Sequence, residues 1–226
     1  MPTPAPVEAE KANGPRSRKG IQTRARLLEA AKQVFEEDGF LDARISDIAE
    51  RAGLSHGSFY HYFESKEEIF REVAAAIDTR LSAPLDSVIL DRSSSASPHE
   101  RIREAIRQHF ESYRKEARII GVIEQVSRYD EHVRAARFAQ HKQYRAQVAE
   151  SIRQLQQHGL ADPELDPLIA ADGLGSITSR FPEMWLVQGL VNCRFEDGVD
   201  QITRLWINAL QLKDEPPPGR RPRAKQ

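Results

Sequence analysis

Ile45-Ser-Asp-Ile-Ala-Glu-Arg-Ala-Gly-Leu-Ser-His-Gly-Ser-Phe-Tyr-His-Tyr-Phe63, followed by Ser65-Lys-Glu-Glu-Ile-Phe70, decides the fold. Residues 45–52 read as a short helix with Ile45, Ile48 and Ala49 inward. Gly53 supplies the backbone freedom for a sharp turn. Ser55 is placed to cap a further helix running to about Tyr62. Two helices joined in this way form a helix-turn-helix, whose second helix enters the major groove of DNA. Ser65-Lys-Glu-Glu68 is a capping box, with serine at the cap and glutamate three residues on. It opens a fourth helix, expected to reach about Leu81.

Upstream, residues 22–38 carry an apolar stripe of Leu27, Leu28, Ala31, Val34 and Phe35, and Gly39 offers a left-handed stop. Downstream, Pro84 and the serines near residues 93–97 suggest a linker over 82–96. Ser97-Pro-His-Glu100 is a second capping box. Further helices are expected over 98–115, 118–127, 131–159, 167–191 and 197–212. Residues 1–20 and 214–226 are rich in proline and charge and read as disordered ends. The expectation is an all-α chain of about nine helices. A helix-turn-helix domain would occupy residues 21–66 and a helical ligand-binding and dimerisation domain residues 67–213.

Composition narrows the function. Of 226 residues, 39% are hydrophobic and 30% charged, with no apolar run long enough to span a bilayer. The N-terminus lacks the basic and apolar regions of a secretory signal. The single cysteine, Cys193, allows no internal disulfide, so a cytoplasmic setting is expected. None of the seven histidines stands in a metal-ligand spacing, and no Gly-rich phosphate loop or nucleophile elbow is present. No cofactor, metal or membrane partner is expected.

The net charge of −1 says little, but its distribution says more. From Lys11 to Leu28 six basic residues stand with no acidic one, Arg18 and Arg24 among them. That arm reads either as a phosphate or minor-groove contact or as a solubilising tail. Ser46 and Lys66 are placed to hold the DNA backbone on either side of the groove. Ser55, His56, Gly57 and Ser58 lie on the first turn of the second motif helix, where base edges come within reach. Gly57 would permit close approach, while Tyr60, His61 and Tyr62 offer polar groups to phosphates or bases. Phe59 and Phe63 should pack inward.

Taken together, Gly39-Phe40, Asp47-Ile-Ala49, Ala52-Gly-Leu-Ser55, Gly57-Ser-Phe-Tyr60 and Phe63-Glu-Ser-Lys-Glu-Glu68 resemble the N-terminal domain of the tetracycline-repressor (TetR) family. The likeness covers about residues 21–70. It implies a homodimer that represses by occupying a palindromic double-stranded operator and is released by a small-molecule effector. It matches Tyr60, His61, Tyr62 and Lys66 to backbone-contacting positions, and Ser55 to Ser58 to positions near the bases. One departure stands out. The family has a threonine or serine just before the first motif helix, where this chain has Ala43-Arg44. Losing a capping hydroxyl costs about 1 kcal/mol; Arg44 could compensate through a phosphate, and its role stays open.

The last two helices would pair with those of a second copy, with Leu186, Leu190, Leu205 and Trp206 as candidate contacts. Some of these could instead close the chain's own core. In Ser179-Arg-Phe-Pro-Glu-Met-Trp185, Pro182 deprives the Thr178 carbonyl of its helical partner and predicts a kink. Arg180, Met184 and Trp185 there, with Phe110, Tyr113, Glu124, Tyr129, Phe138, His141 and Tyr144, are candidates to line an effector pocket. The expected effector is mainly apolar, acyl or aromatic, with one polar or anionic end. The competing reading is an aromatic core in which Arg180 and Glu183 simply pair. A second class of function stays open: a helical small-molecule-binding protein or enzyme whose N-terminal helices serve assembly only.

Overall fold

The computed structural model describes residues 17–88 and 96–213. Within them the chain is all-helical. In order come α1 (Arg18–Asp42), α2 (Ile45–Arg51), α3 (His56–Phe59), α4 (Lys66–Val88), α5 (Pro98–Ser127), α6 (Glu131–Gln157), α7 (Pro167–Pro182) and α8 (Phe195–Leu210). A π-helical turn, Glu183–Val187, follows α7. The chain divides into two compact units after Val73. Among the described residues no helix is long and apolar enough to cross a membrane.

In the first unit α1 begins earlier than expected. Ser17 caps it, its Oγ accepting from the Gly20 amide at 3.1 Å. Arg18 and Lys19 therefore sit on a helix rather than on a free arm. The rest of the arm, residues 1–16, and the tail 214–226 lie outside the described residues. Gly39, at φ 74°, breaks the helical path where the sequence places a stop, and one further turn follows. Leu27, Ala31, Val34 and Phe35 of α1 are buried with Ile48 and Ala49 of α2, Phe59, Phe63, and Ile69, Phe70 and Val73 of α4. Phe70 meets Phe35 edge-on, with ring centres 5.0 Å apart.

α3 is shorter than the sequence suggests. Tyr60 to Tyr62 continue it only as a hydrogen-bonded turn, in which the Tyr62 and Phe63 amides both donate to the Phe59 carbonyl. α4 in turn passes through Pro84 to Val88 rather than ending near Leu81. An interior proline removes one backbone hydrogen bond without having to end a helix. Of the expected linker, residues 89–95 lie outside the described residues.

In the second unit the two helices expected over 98–115 and 118–127 are one, α5. No Gly or Pro interrupts residues 114–118, and Tyr113, Glu116, Ile119, Ile120 and Ile123 continue one buried stripe. Its core joins Ile102, Ile106 and Phe110 of α5, Val148 and Ile152 of α6, Leu174 of α7, and Val199, Ile202 and Trp206 of α8. The Trp206 indole N–H donates to Thr178 Oγ1 at 2.8 Å, so the one polar atom of a buried ring is satisfied. The expected kink at Pro182 takes the form of the π turn, where the Gln188 amide reaches back five residues to the Glu183 carbonyl at 2.9 Å. The helix expected over 167–191 therefore stops at Pro182.

Candidate nucleic-acid interface and effector cavity

The motif is held from behind by two basic side chains. Arg26 of α1 donates to the Ala52 carbonyl at the turn between α2 and α3. Next to it Gly53 has φ +65°, and a Cβ there would lie 2.8 Å from Arg26 Nη2. Both the backbone conformation and the available space call for glycine. Lys66, at the start of α4, donates to the carbonyls of Phe40, Leu41 and Ala43 at 2.7, 3.0 and 2.9 Å. Its ammonium also lies 4.8 Å from the centre of the Phe40 ring. An ammonium has three donors, and all are used to tie the end of α1 to the approach of α2.

The residues expected to face DNA divide into two groups. Ser55 caps α3, its Oγ accepting from the Ser58 amide at 3.3 Å and lying 2.7 Å from Ser58 Oγ. His56, Gly57, Tyr60 and His61 are exposed, and nothing lies within 4 Å of a Cβ built on Gly57. Tyr62 and Ser58 are half-buried, while Phe59 and Phe63 fill the core. The His56 and Tyr60 rings meet edge to face at 5.4 Å. At α2, Arg44 is exposed and makes no side-chain cap, and the Ser46 hydroxyl donates to Asp47 at 2.9 Å. Arg24 lies elsewhere in its interactions, paired with Glu72 and stacked 4.7 Å over the Phe63 ring. Arg26 was not anticipated from the sequence, which offers only its place in a basic run.

The second unit holds a cavity of about 290 Å³ among α4, α5, α6 and α7. Tyr113, His141 and Tyr144, of the residues expected there, line it. Asp78, His109, Arg137, Gln140, Thr178 and Ser179 supply further polar wall. Glu124 stands behind the wall, 2.5 Å from Arg137. Phe110 and Trp185 lie outside it in an aromatic cluster with Phe181 and Phe195. Met184 sits half-buried on the π turn, and Arg180 pairs with Glu183 at 2.5 Å. Tyr129 and Phe138 are exposed, at 55% and 71%, and do not line the cavity. Of the expected dimer contacts, Leu190 and Leu205 are exposed and Leu186 is half-buried, whereas Trp206 lies inside the unit's own core.

Burial governs the charges at this cavity. It pushes the Asp78 carboxyl up to about 6; Arg137 pulls it down and Glu124 pushes it further up. It drives the His109 imidazole down to about 4, against the backbone of Leu81 and Thr178, which favour a proton on the ring. It also raises the Tyr113 phenol above its usual range. Asp78 and His109 leave a trace in the sequence that is easy to overlook: each is a polar residue standing in an otherwise apolar helical stripe.

An exposed polar α3 turn braced on a three-helix core, joined to an all-helical unit with a solvent-open cavity, defines a helix-turn-helix transcriptional regulator. Residues 27–73 match the family described as bacterial regulatory proteins, tetR family. The chain is 30% identical over 201 residues to YfiR of Bacillus subtilis, an HTH-type transcriptional regulator, covering 84% of this chain and 93% of YfiR. The chain therefore belongs to the TetR family of DNA-binding transcriptional regulators. It is also 42% identical over 73 residues to YdgC of Bacillus subtilis, a match spanning 32% of this chain and 37% of YdgC. A TetR-family regulator from Mesorhizobium loti shares the fold at a TM-score of 0.72 and 19% identity, over 86% of this chain and 98% of that one. Membership of this family of transcriptional regulators removes the enzymatic alternative.

Proposed function

We propose that the chain is a cytoplasmic, homodimeric repressor that occupies a palindromic operator and leaves it when a small, mainly apolar effector enters the cavity of the second unit. The observation that carries this reading is the two-sidedness of the α3 region. His56, Gly57, Tyr60 and His61 face solvent while Phe59 and Phe63 are fully inside. A surface turn with no Cβ at its centre and hydrogen-bonding groups on either side suits close approach to base edges.

In this reading residues 21–66 meet DNA and residues 67–213 hold the effector and the second copy. Ser55, His56, Gly57 and Ser58 lie toward the bases, and Arg18, Arg44, Ser46, Tyr60, His61 and Tyr62 toward the phosphates. Lys66 and Arg24 act from behind, through the protein contacts they already make. Exposed Ile169, Leu190 and Leu205 supply apolar surface for the second copy. Selection of bound duplexes from a random pool tests the proposal. A palindrome whose half-sites lie about one helical turn apart is the expected result. Enrichment of a single unrepeated site would overturn the dimeric reading, and no enrichment would overturn operator binding.

A further inference from the structure

The charged groups at the cavity lean to the negative side. Two carboxylates share one guanidinium: Arg137 lies 2.5 Å from Glu124 and only 3.9 Å from Asp78. The longer separation is an ion pair without a hydrogen bond. His109 uses Nδ1 on the Leu81 carbonyl at 2.7 Å, and its fully buried Nε2 has no hydrogen-bond partner. Burial keeps the ring neutral. The Thr178 carbonyl, whose helical donor is missing because residue 182 is proline, lies against the His109 ring.

An anion entering this space would meet Asp78, with Arg137 already drawn to Glu124 behind the wall. A donor with positive charge would complete the set. We propose that the cavity, read above as the effector site, selects a small organic cation: a protonated amine on an apolar body, with its N–H groups toward Asp78 and the Tyr113 ring beside it. At about 290 Å³, roughly twice a cavity that holds benzene, the space suits on the order of a dozen non-hydrogen atoms. Of the polar or anionic end expected from sequence, the anionic form is disfavoured, because the cation lining the cavity, Arg137, is already shared by Glu124 and Asp78.

Three probes sharing a phenyl body test this on the full-length protein by calorimetry at neutral pH: 2-phenylethylamine, 2-phenylethanol and 3-phenylpropanoate. The amine should bind about tenfold or more tightly than the alcohol, with the carboxylate weakest. Asp78→Asn should bring amine and alcohol to within about twofold. Should Asp78→Asn fail to fold, Glu124→Gln serves instead: it frees Arg137 and should narrow the gap between amine and carboxylate. Carboxylate or alcohol binding as tightly as amine, an amine preference that survives these substitutions, or no binding by any probe would overturn the inference. Retention of a selected operator duplex is measured in parallel. A retained duplex without amine preference refutes the cation alone, whereas no retained duplex refutes the regulator reading whichever probe binds.

Discussion

Lys66 Nζ lies 2.7 Å from the Phe40 carbonyl oxygen, and the same ammonium reaches the carbonyls of Leu41 and Ala43. The residue expected to grip DNA is engaged within the protein. Lys66→Met should therefore cost about 2 kcal/mol of stability in urea unfolding, as charge-assisted hydrogen bonds do. It should weaken operator binding while leaving the dependence of affinity on salt unchanged. A direct phosphate contact would instead lower the slope of log affinity against log salt by about one.

His56 and Ser58 stand on the α3 turn, and His61 follows it on the exposed side of the motif. Replacing His56 or Ser58 by alanine should change preference at one base pair per half-site by about 1–3 kcal/mol. His61→Ala should weaken all duplexes alike. Competition binding against single-base variants of the selected operator separates the two patterns. A uniform loss for His56→Ala would move that residue to the backbone side.

Gly53 adopts φ +65°, with Arg26 Nη2 where a Cβ would go. Gly53→Ala should cost at least about 1–2 kcal/mol for the left-handed conformation alone. It should also dislodge Arg26 from the Ala52 carbonyl and misplace α3. Chemical denaturation gives the first quantity and duplex affinity the second. Unchanged affinity would show that the turn tolerates another path.

His109 and Asp78 pull the acid response in opposite directions. The His109 value is depressed, from 6.5 to about 4, so the stability linked to it is complete above pH 6.5 and lost as pH falls toward 4. The Asp78 value is raised, from 3.8 to about 6, so its contribution is complete below pH 3.8 and lost as pH rises through 6. Each shift is worth about 3 kcal/mol. His109→Gln should give a protein that gains stability on acidification from pH 6 to 4, and Asp78→Asn one that loses it more steeply than wild type. Melting temperatures across that range check both signs.

The second unit should depend on the Trp206–Thr178 hydrogen bond. Trp206→Phe is expected to destabilise by about 1–3 kcal/mol, through lost volume and a buried acceptor, Thr178 Oγ1, left without its donor. Gel filtration of this variant should leave the oligomeric state unchanged, since the ring is 1% exposed within one chain.

Local chemistry alone carried the helix-turn-helix. Gly53 at the turn, Ser55 at the cap and the Ser65–Glu68 box each act within a few residues, so their meaning is readable before the chain folds. The Ser97 cap and the interruption at Pro182 were legible for the same reason. The length of α5 was less so, because one unbroken buried stripe over its 30 residues emerges only when all its neighbours are present. What Lys66, Arg24 and Arg26 do was decided by residues 23 to 48 positions away in the chain, since a long basic side chain takes whichever carbonyl or carboxylate packing brings near. Trp206 became core rather than surface through a residue 28 positions distant. The cavity, too, belongs to tertiary structure. Asp78, His109 and Arg137 come from three helices, and the charge each carries depends on how much water the others exclude.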